Sequence, residues 1–107
     1  MRLVLCNASP AEATTLARAV VEEQLAACVN LLPVRSIYRW DGAVQDDEEV
    51  TLLCKVPAES VDALRERLVA LHSYDVPEVL VLPVEAERSF APYVDWVRST
   101  VRKSGGP

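Results

Sequence analysis

Apolar and polar positions change their period several times along the 107-residue chain, and each change marks an element. Leu3-Val4-Leu5-Cys6 shows no alternation, so residues 2–7 are predicted as a short strand, apolar on both faces. Ala13, Leu16, Ala17, Val20 and Leu25 then recur at helical spacing. Ser9 is placed to cap that helix, Pro10 to open it and Glu12 to complete a capping box, which predicts a helix over about residues 10–26.

A long extended stretch, 28–40, leads to Asp41-Gly42, a strong signal for a two-residue hairpin turn. The return, 43–56, alternates Val50, Leu52, Cys54 and Val56 with Thr51, Leu53 and Lys55. At ~3.3 Å per residue each arm reaches about 40 Å, twice the reach of the first strand, so this long hairpin must project beyond its sheet. Pro57 stops the return strand, and Val61, Leu64, Leu68 and Leu71 mark a second helix over about 58–71. A loop at 72–77 precedes a strand at 78–84, again apolar on both faces. Phe90, Tyr93, Val94, Val97 and Val101 form the stripe of a last helix, and 104–107 reads as a flexible tail after one domain at 1–103. The order β-α-β-β-α-β-α, with right-handed crossovers, predicts an α+β fold. It is a ferredoxin-like α/β sandwich, βαββαβ plus a C-terminal helix, with an antiparallel sheet in the order 4-1-3-2.

An antiparallel sheet with one wet face alternates apolar and polar residues, and the first and last strands do not. Their second face needs a cover, for which the chain offers only its last helix. An isolated two-stranded ribbon is also marginal in water. Both features predict a homo-oligomer.

Composition narrows the function. The formal net charge is −5 and the basic residues are scattered, which argues against phosphate-backbone binding and hence against nucleic acid. Arg98, Arg102 and Lys103 gather at the end of the last helix, where the helix dipole favours cations. No apolar run approaches the ~20 residues of a membrane span. Three cysteines without a CxxC pair, and no basic stretch followed by a long apolar run, lead to the expectation of a cytoplasmic protein with reduced thiols. With three glycines there is no phosphate-cradling loop, and with one histidine no nucleophile–base–acid set, so an enzyme is not expected.

The topology brings the end of strand 1 and the end of helix 2 to one sheet edge. Cys6 and His72 should meet there, flanked by Tyr74 and Glu78. Thiolate and imidazole suit copper or zinc, and the Glu78 carboxylate adds a harder ligand. The alternatives are a small buried hydrophobe for Cys6 and a helix C-cap for His72. With a two-residue turn, Cys28 faces position 55, so Cys28 and Cys54 are core residues first and a thiol pair second. Asp46-Asp47-Glu48-Glu49 reads as a solvated or edge-protecting run; the alternatives are weak collection of hard cations and pairing with Arg35 and Arg39 across the hairpin, and surface salt bridges are favoured over a binding site.

Several segments together resemble the CutA family of divalent-cation tolerance proteins. They are Glu22-Glu23-Gln24-Leu25-Ala26-Ala27-Cys28-Val29-Asn30, Ser36-Ile37-Tyr38-Arg39-Trp40-Asp41-Gly42, Glu48-Glu49-Val50 with Lys55, His72-Ser73-Tyr74-Asp75-Val76-Pro77-Glu78, and Tyr93 with Trp96. The chain departs from that family's pattern at Val34, which directly follows Pro33, and at Ser73, where proline is usual. It also departs at Leu71, where some members carry a second histidine. The resemblance implies a homotrimer of ferredoxin-like subunits, a link to divalent-metal tolerance with copper binding in some members, and no established reaction. The expected function is thus a homotrimer that binds or responds to copper or another divalent cation through Cys6, His72 and Glu78. The alternative is a trimeric sensor or scaffold of the PII type. It would hold a small molecule, without metal, in inter-subunit clefts lined by Tyr38, Trp40, Tyr74 and Lys55.

Overall fold

In the computed structural model, which describes residues 1–102, Asp41 and Gly42 both take positive φ, 55° and 76°. This is the type I′ signature, whose twist matches that of the flanking strands. The turn joins β2 (Cys28–Trp40) to β3 (Ala43–Val56), paired without interruption from Trp40↔Ala43 to Cys28↔Lys55. The other elements are β1 (Arg2–Ala8), α1 (Ala13–Glu22), α2 (Val61–Leu71), β4 (Val79–Pro83) and α3 (Ala91–Thr100). Single 3-10 turns at Ala58–Ser60 and Ala86–Arg88 lead into α2 and α3. The expected free tail at 104–107 lies outside the described residues.

The sheet runs β2-β3-β1-β4 with every pairing antiparallel, which is the predicted 4-1-3-2 order read from the other edge. Val4, Cys6 and Ala8 of β1 and Leu52, Cys54 and Val56 of β3 point to one face. There they pack with Leu16 and Val20 of α1 and Leu64 and Leu68 of α2. β1 pairs with β3 only from Val50 to Val56, so β3 from Ala43 to Glu49 has β2 as its sole neighbour. The hairpin therefore overhangs, in a molecule 44 Å long and 20 Å thick.

α1 is shorter than its apolar spacing suggested, for reasons visible at both ends. The Ser9 carbonyl accepts the N–H groups of Glu12 (3.2 Å) and Ala13 (3.1 Å), which closes a turn ahead of the helix. Glu12 does not reach back to complete a capping box; its carboxylate accepts the Ser73 hydroxyl at 2.8 Å. At the other end Gln24 takes φ 59°, the Gln24 N–H donates to the Val21 carbonyl and the Leu25 N–H to the Val20 carbonyl. That pair of bonds is a Schellman ending, which returns Leu25 to the core.

The second face is only partly covered. Val97 and Val101 cluster with Ala27 and Met1 at one end of the sheet. In β4, a sheet edge, Leu80, Val81 and Leu82 stay 55, 43 and 40% exposed. α3 therefore does not supply the whole cover that the strand pattern demands.

Gln24 occupies a left-handed position that costs an L-residue more than glycine. Gln24→Gly is expected to raise stability by about 0.5–1 kcal/mol in urea unfolding; a loss of stability would mean that the Gln24 side chain makes a compensating contact.

Candidate functional site

Side chains alternate across a strand, so the hairpin register decides what shares the face away from α1 and α2. Asn7 pairs with Thr51, and their side chains bond at 2.6 Å (Thr51 Oγ1 to Asn7 Oδ1). By the same parity Asp47 and Glu49 of β3 lie on that face, opposite Ser36 and near Tyr38 and Trp40 of β2. The loop after α2 closes the other side. Together they enclose a groove of about 800 Å³, lined by Asn7, the hairpin residues Ser36, Ile37, Tyr38, Trp40, Asp47 and Glu49, the loop residues Ser73, Tyr74, Asp75 and Val76, and Glu78.

Two tyrosines tie this groove together. Tyr38 donates its hydroxyl to Asp47 Oδ2 at 2.6 Å, and Tyr74 donates to Glu49 Oε2 at 3.1 Å. Burial, followed by the bond to Glu49, pushes the Tyr74 phenol up to about 12, while the Tyr38 phenol is raised chiefly by its bond to Asp47. Asp46 points elsewhere and is held by a two-pronged contact with Arg35, which keeps its carboxyl below the usual range.

His72 anchors the loop. Its side chain is fully buried at the C-cap of α2. The Tyr74 backbone N–H donates to His72 Nδ1 at 3.2 Å, so Nδ1 is the acceptor and Nε2 carries the proton. Nε2–H donates to the Asn7 carbonyl at 2.8 Å. The Tyr74 ring packs on the imidazole with centroids 4.5 Å apart, and Glu12 Oε1 lies 3.5 Å from Nδ1. The ring therefore clamps the loop to the end of β1.

The structure brings Cys6 and His72 to the same spot, since the Cys6 thiol also approaches the Asn7 carbonyl, at 3.8 Å. Their chemistry there does not fit a metal. Cys6 is fully buried in the core, and burial, followed by the charges of Glu78 and Glu12, pushes its thiol up to about 12. A metal ligand must be a thiolate, and both His72 nitrogens are already engaged. Glu78 is exposed and lines the groove. Among the described residues no three His, Cys, Asp or Glu side chains converge as a metal site.

Three further placements bear on the expectations. Lys55 shares the groove's face but lies across from Cys28 at the far end of the hairpin, with Nζ 3.8 Å from Cys28 Sγ, so it does not line the groove with Tyr38, Trp40 and Tyr74. Cys28 lies opposite Lys55, as the two-residue turn predicts, Cys54 is opposite Val29 and faces the core, and all three cysteines are free. Of the four acids at 46–49, Asp46 alone makes the predicted ion pair with Arg35; Arg39 makes none among the described residues, and Asp47 and Glu49 turn into the groove. Counting alternate residues from Lys55 back along β3 is the signal that separates these two from their neighbours.

Four antiparallel strands in the order β2-β3-β1-β4 with α1 and α2 packed on one face define an α+β protein of the ferredoxin-like class. A family profile described as "CutA1 divalent ion tolerance protein" matches residues 2–100. The divalent-cation tolerance protein CutA of Thermus thermophilus is 50% identical over 88 residues, covering 80% of this chain and 82% of that protein. Human protein CutA is 48% identical over 87 residues, covering 80% of this chain but 48% of the human protein, so the chain spans about half of that longer relative. Among solved structures, the PII-like protein CutA from Nostoc in apo form superposes with a TM-score of 0.95 at 39% identity, over 97% of this chain and all (100%) of that one. The chain belongs to the CutA family.

Burial protects two of the three thiols. Cys54, like Cys6, is pushed up to about 12 by desolvation, whereas Cys28 is half-buried. A thiol reagent at pH 8 is expected to label Cys28 alone in the folded protein and all three after denaturation, read by mass spectrometry of peptides. Rapid native labelling of Cys6 would contradict its placement.

Proposed function

We propose that this CutA protein works as a homotrimer whose functional site is the groove between the β2–β3 hairpin and the loop after α2, where a small ligand binds. The groove itself carries the reading. It has the volume of small-molecule sites, its walls combine three aromatic rings with convergent polar groups, and His72 holds its loop wall in place. In this reading divalent-cation tolerance follows from a ligand-responsive protein and not from chelation at Cys6 and His72, which serve as packing and clamp.

Self-association is supported by the exposed apolar run Leu80-Val81-Leu82 on an unpaired strand edge. Such an edge is a template for pairing with another chain. The trimeric number comes from the resemblance of the hairpin, the loop and α3 to the CutA pattern.

Light scattering at micromolar concentration is expected to give three times the 11.8 kDa of one chain; a monomer would overturn the assembly. Calorimetric titration of the metal-free protein with copper under controlled reductant is expected to show only weak uptake, the same in Cys6→Ser. Tight binding at one ion per chain, lost in that variant, would overturn the groove reading in favour of a metal centre.

A further inference from the structure

We propose that the groove binds an organic polycation, a molecule with two or more protonated amines spaced along an apolar chain. The inference rests on the groove being a binding site and adds the chemistry of what it holds. Four carboxylates, Asp47, Glu49, Asp75 and Glu78, line it, and among the described residues no lysine or arginine does. Local repulsion therefore opposes phosphate or carboxylate ligands there and favours a cation.

Glu49 makes the case specific. It is 9% exposed, its Oε2 accepts only the neutral Tyr74 hydroxyl, and its Oε1 receives no donor from the described residues. It belongs to no ion pair among them, unlike Asp46 on the same strand, which Arg35 neutralises. No buried polar side-chain atom among the described residues lacks a hydrogen-bond partner, so the free Oε1 is open to the groove rather than sealed in the core, and a cation entering the groove can reach it and supply the missing counter-charge. An ammonium group can donate to the free oxygen while the Tyr74 bond stays intact.

The form of the cation follows from spacing. Among the described residues no three acidic, histidine or cysteine side chains converge as a single metal ion requires. The carboxylates are instead distributed along a groove of about 800 Å³. A compact ion satisfies one of them, and an extended chain with separated charges satisfies several together. Trp40, Tyr38 and Tyr74 supply the remaining surface, since aromatic faces attract ammonium groups and pack against methylene stems.

The test is calorimetric titration of the full chain, at low ionic strength, with spermidine and 1,4-diaminobutane. 1,4-Butanediol serves as the neutral match, succinate as the anionic match and magnesium as a compact cation. Spermidine is expected to bind more tightly than the diamine, with neither diol, succinate nor magnesium measurable over the same range. Glu49→Gln, the exposed Glu78→Gln and Trp40→Leu should each weaken spermidine about tenfold or more. Because Glu78 is exposed, its variant keeps the test valid if Glu49→Gln folds poorly. Amine binding untouched by all three substitutions would be counter-ion condensation on an acidic surface and would overturn the proposal, as would magnesium binding as tightly as spermidine. Succinate or diol binding that Trp40→Leu abolishes, without amine binding, would overturn the polycation while leaving the groove as the site. No binding by any probe would overturn the polycation and remove support from the groove as well.

Discussion

The register of the β2–β3 hairpin governs both the core and the groove. Because side chains alternate with a period of two, a slip of one residue would exchange the faces of fourteen positions in β3. Leu52, Cys54 and Val56 would leave the core, and Asp47 and Glu49 would leave the groove. The Asp41-Gly42 turn prevents this, since its two positive φ angles admit one tight register and its twist suits the strands it joins. A single local choice near the tip thus places the acids beside Tyr38 and Trp40 and the apolar positions against α1 and α2.

A second constraint sits at the Asn7 carbonyl. β1 ends there, and the lone histidine donates to it while accepting from the Tyr74 backbone. This exchange satisfies two backbone groups at a buried junction, where unmade hydrogen bonds are expensive. It also holds Tyr74 within reach of Glu49, so the clamp and the groove form one unit. The same geometry opposes a ligand role for Cys6 and His72, although they are adjacent: each directs its proton at one carbonyl, and the thiol sits in a core that disfavours its ionised form.

The uncovered face connects the fold to the proposed assembly. α3 protects the end of the sheet at Ala27 and Met1, and the groove occupies the hairpin end. Between them runs an apolar band that includes Leu5, Leu53, Leu80 and Leu82, of which Leu80 and Leu82 are well exposed. Contiguous apolar surface of this kind marks a contact with another molecule. A folded monomer is therefore consistent with its own core and still unfinished on its outer side.

Much of the fold was legible because its signals are local. Period, turn dipeptide and the proline at 57 placed the hairpin strands where they lie, and chain order with crossover handedness produced the sheet order. The helix ends were less legible, since Ser9 and Glu12 carry capping identities that tertiary partners diverted: the Glu12 carboxylate answers Ser73, a residue on a distant loop. The neighbourhood of Cys6 and His72 followed from topology, yet their roles did not, because protonation and lone-pair direction depend on what surrounds them. Asp47 and Glu49 looked like a solvated acidic run in sequence. Asp47 does stay exposed, but the burial of Glu49 against Tyr74, and a groove that no lysine or arginine among the described residues lines, are properties of three segments meeting in space. Local sequence therefore determined the elements and their register, and only tertiary contact decided which charges were paired with an arginine and which were left facing a groove without a counter-charge.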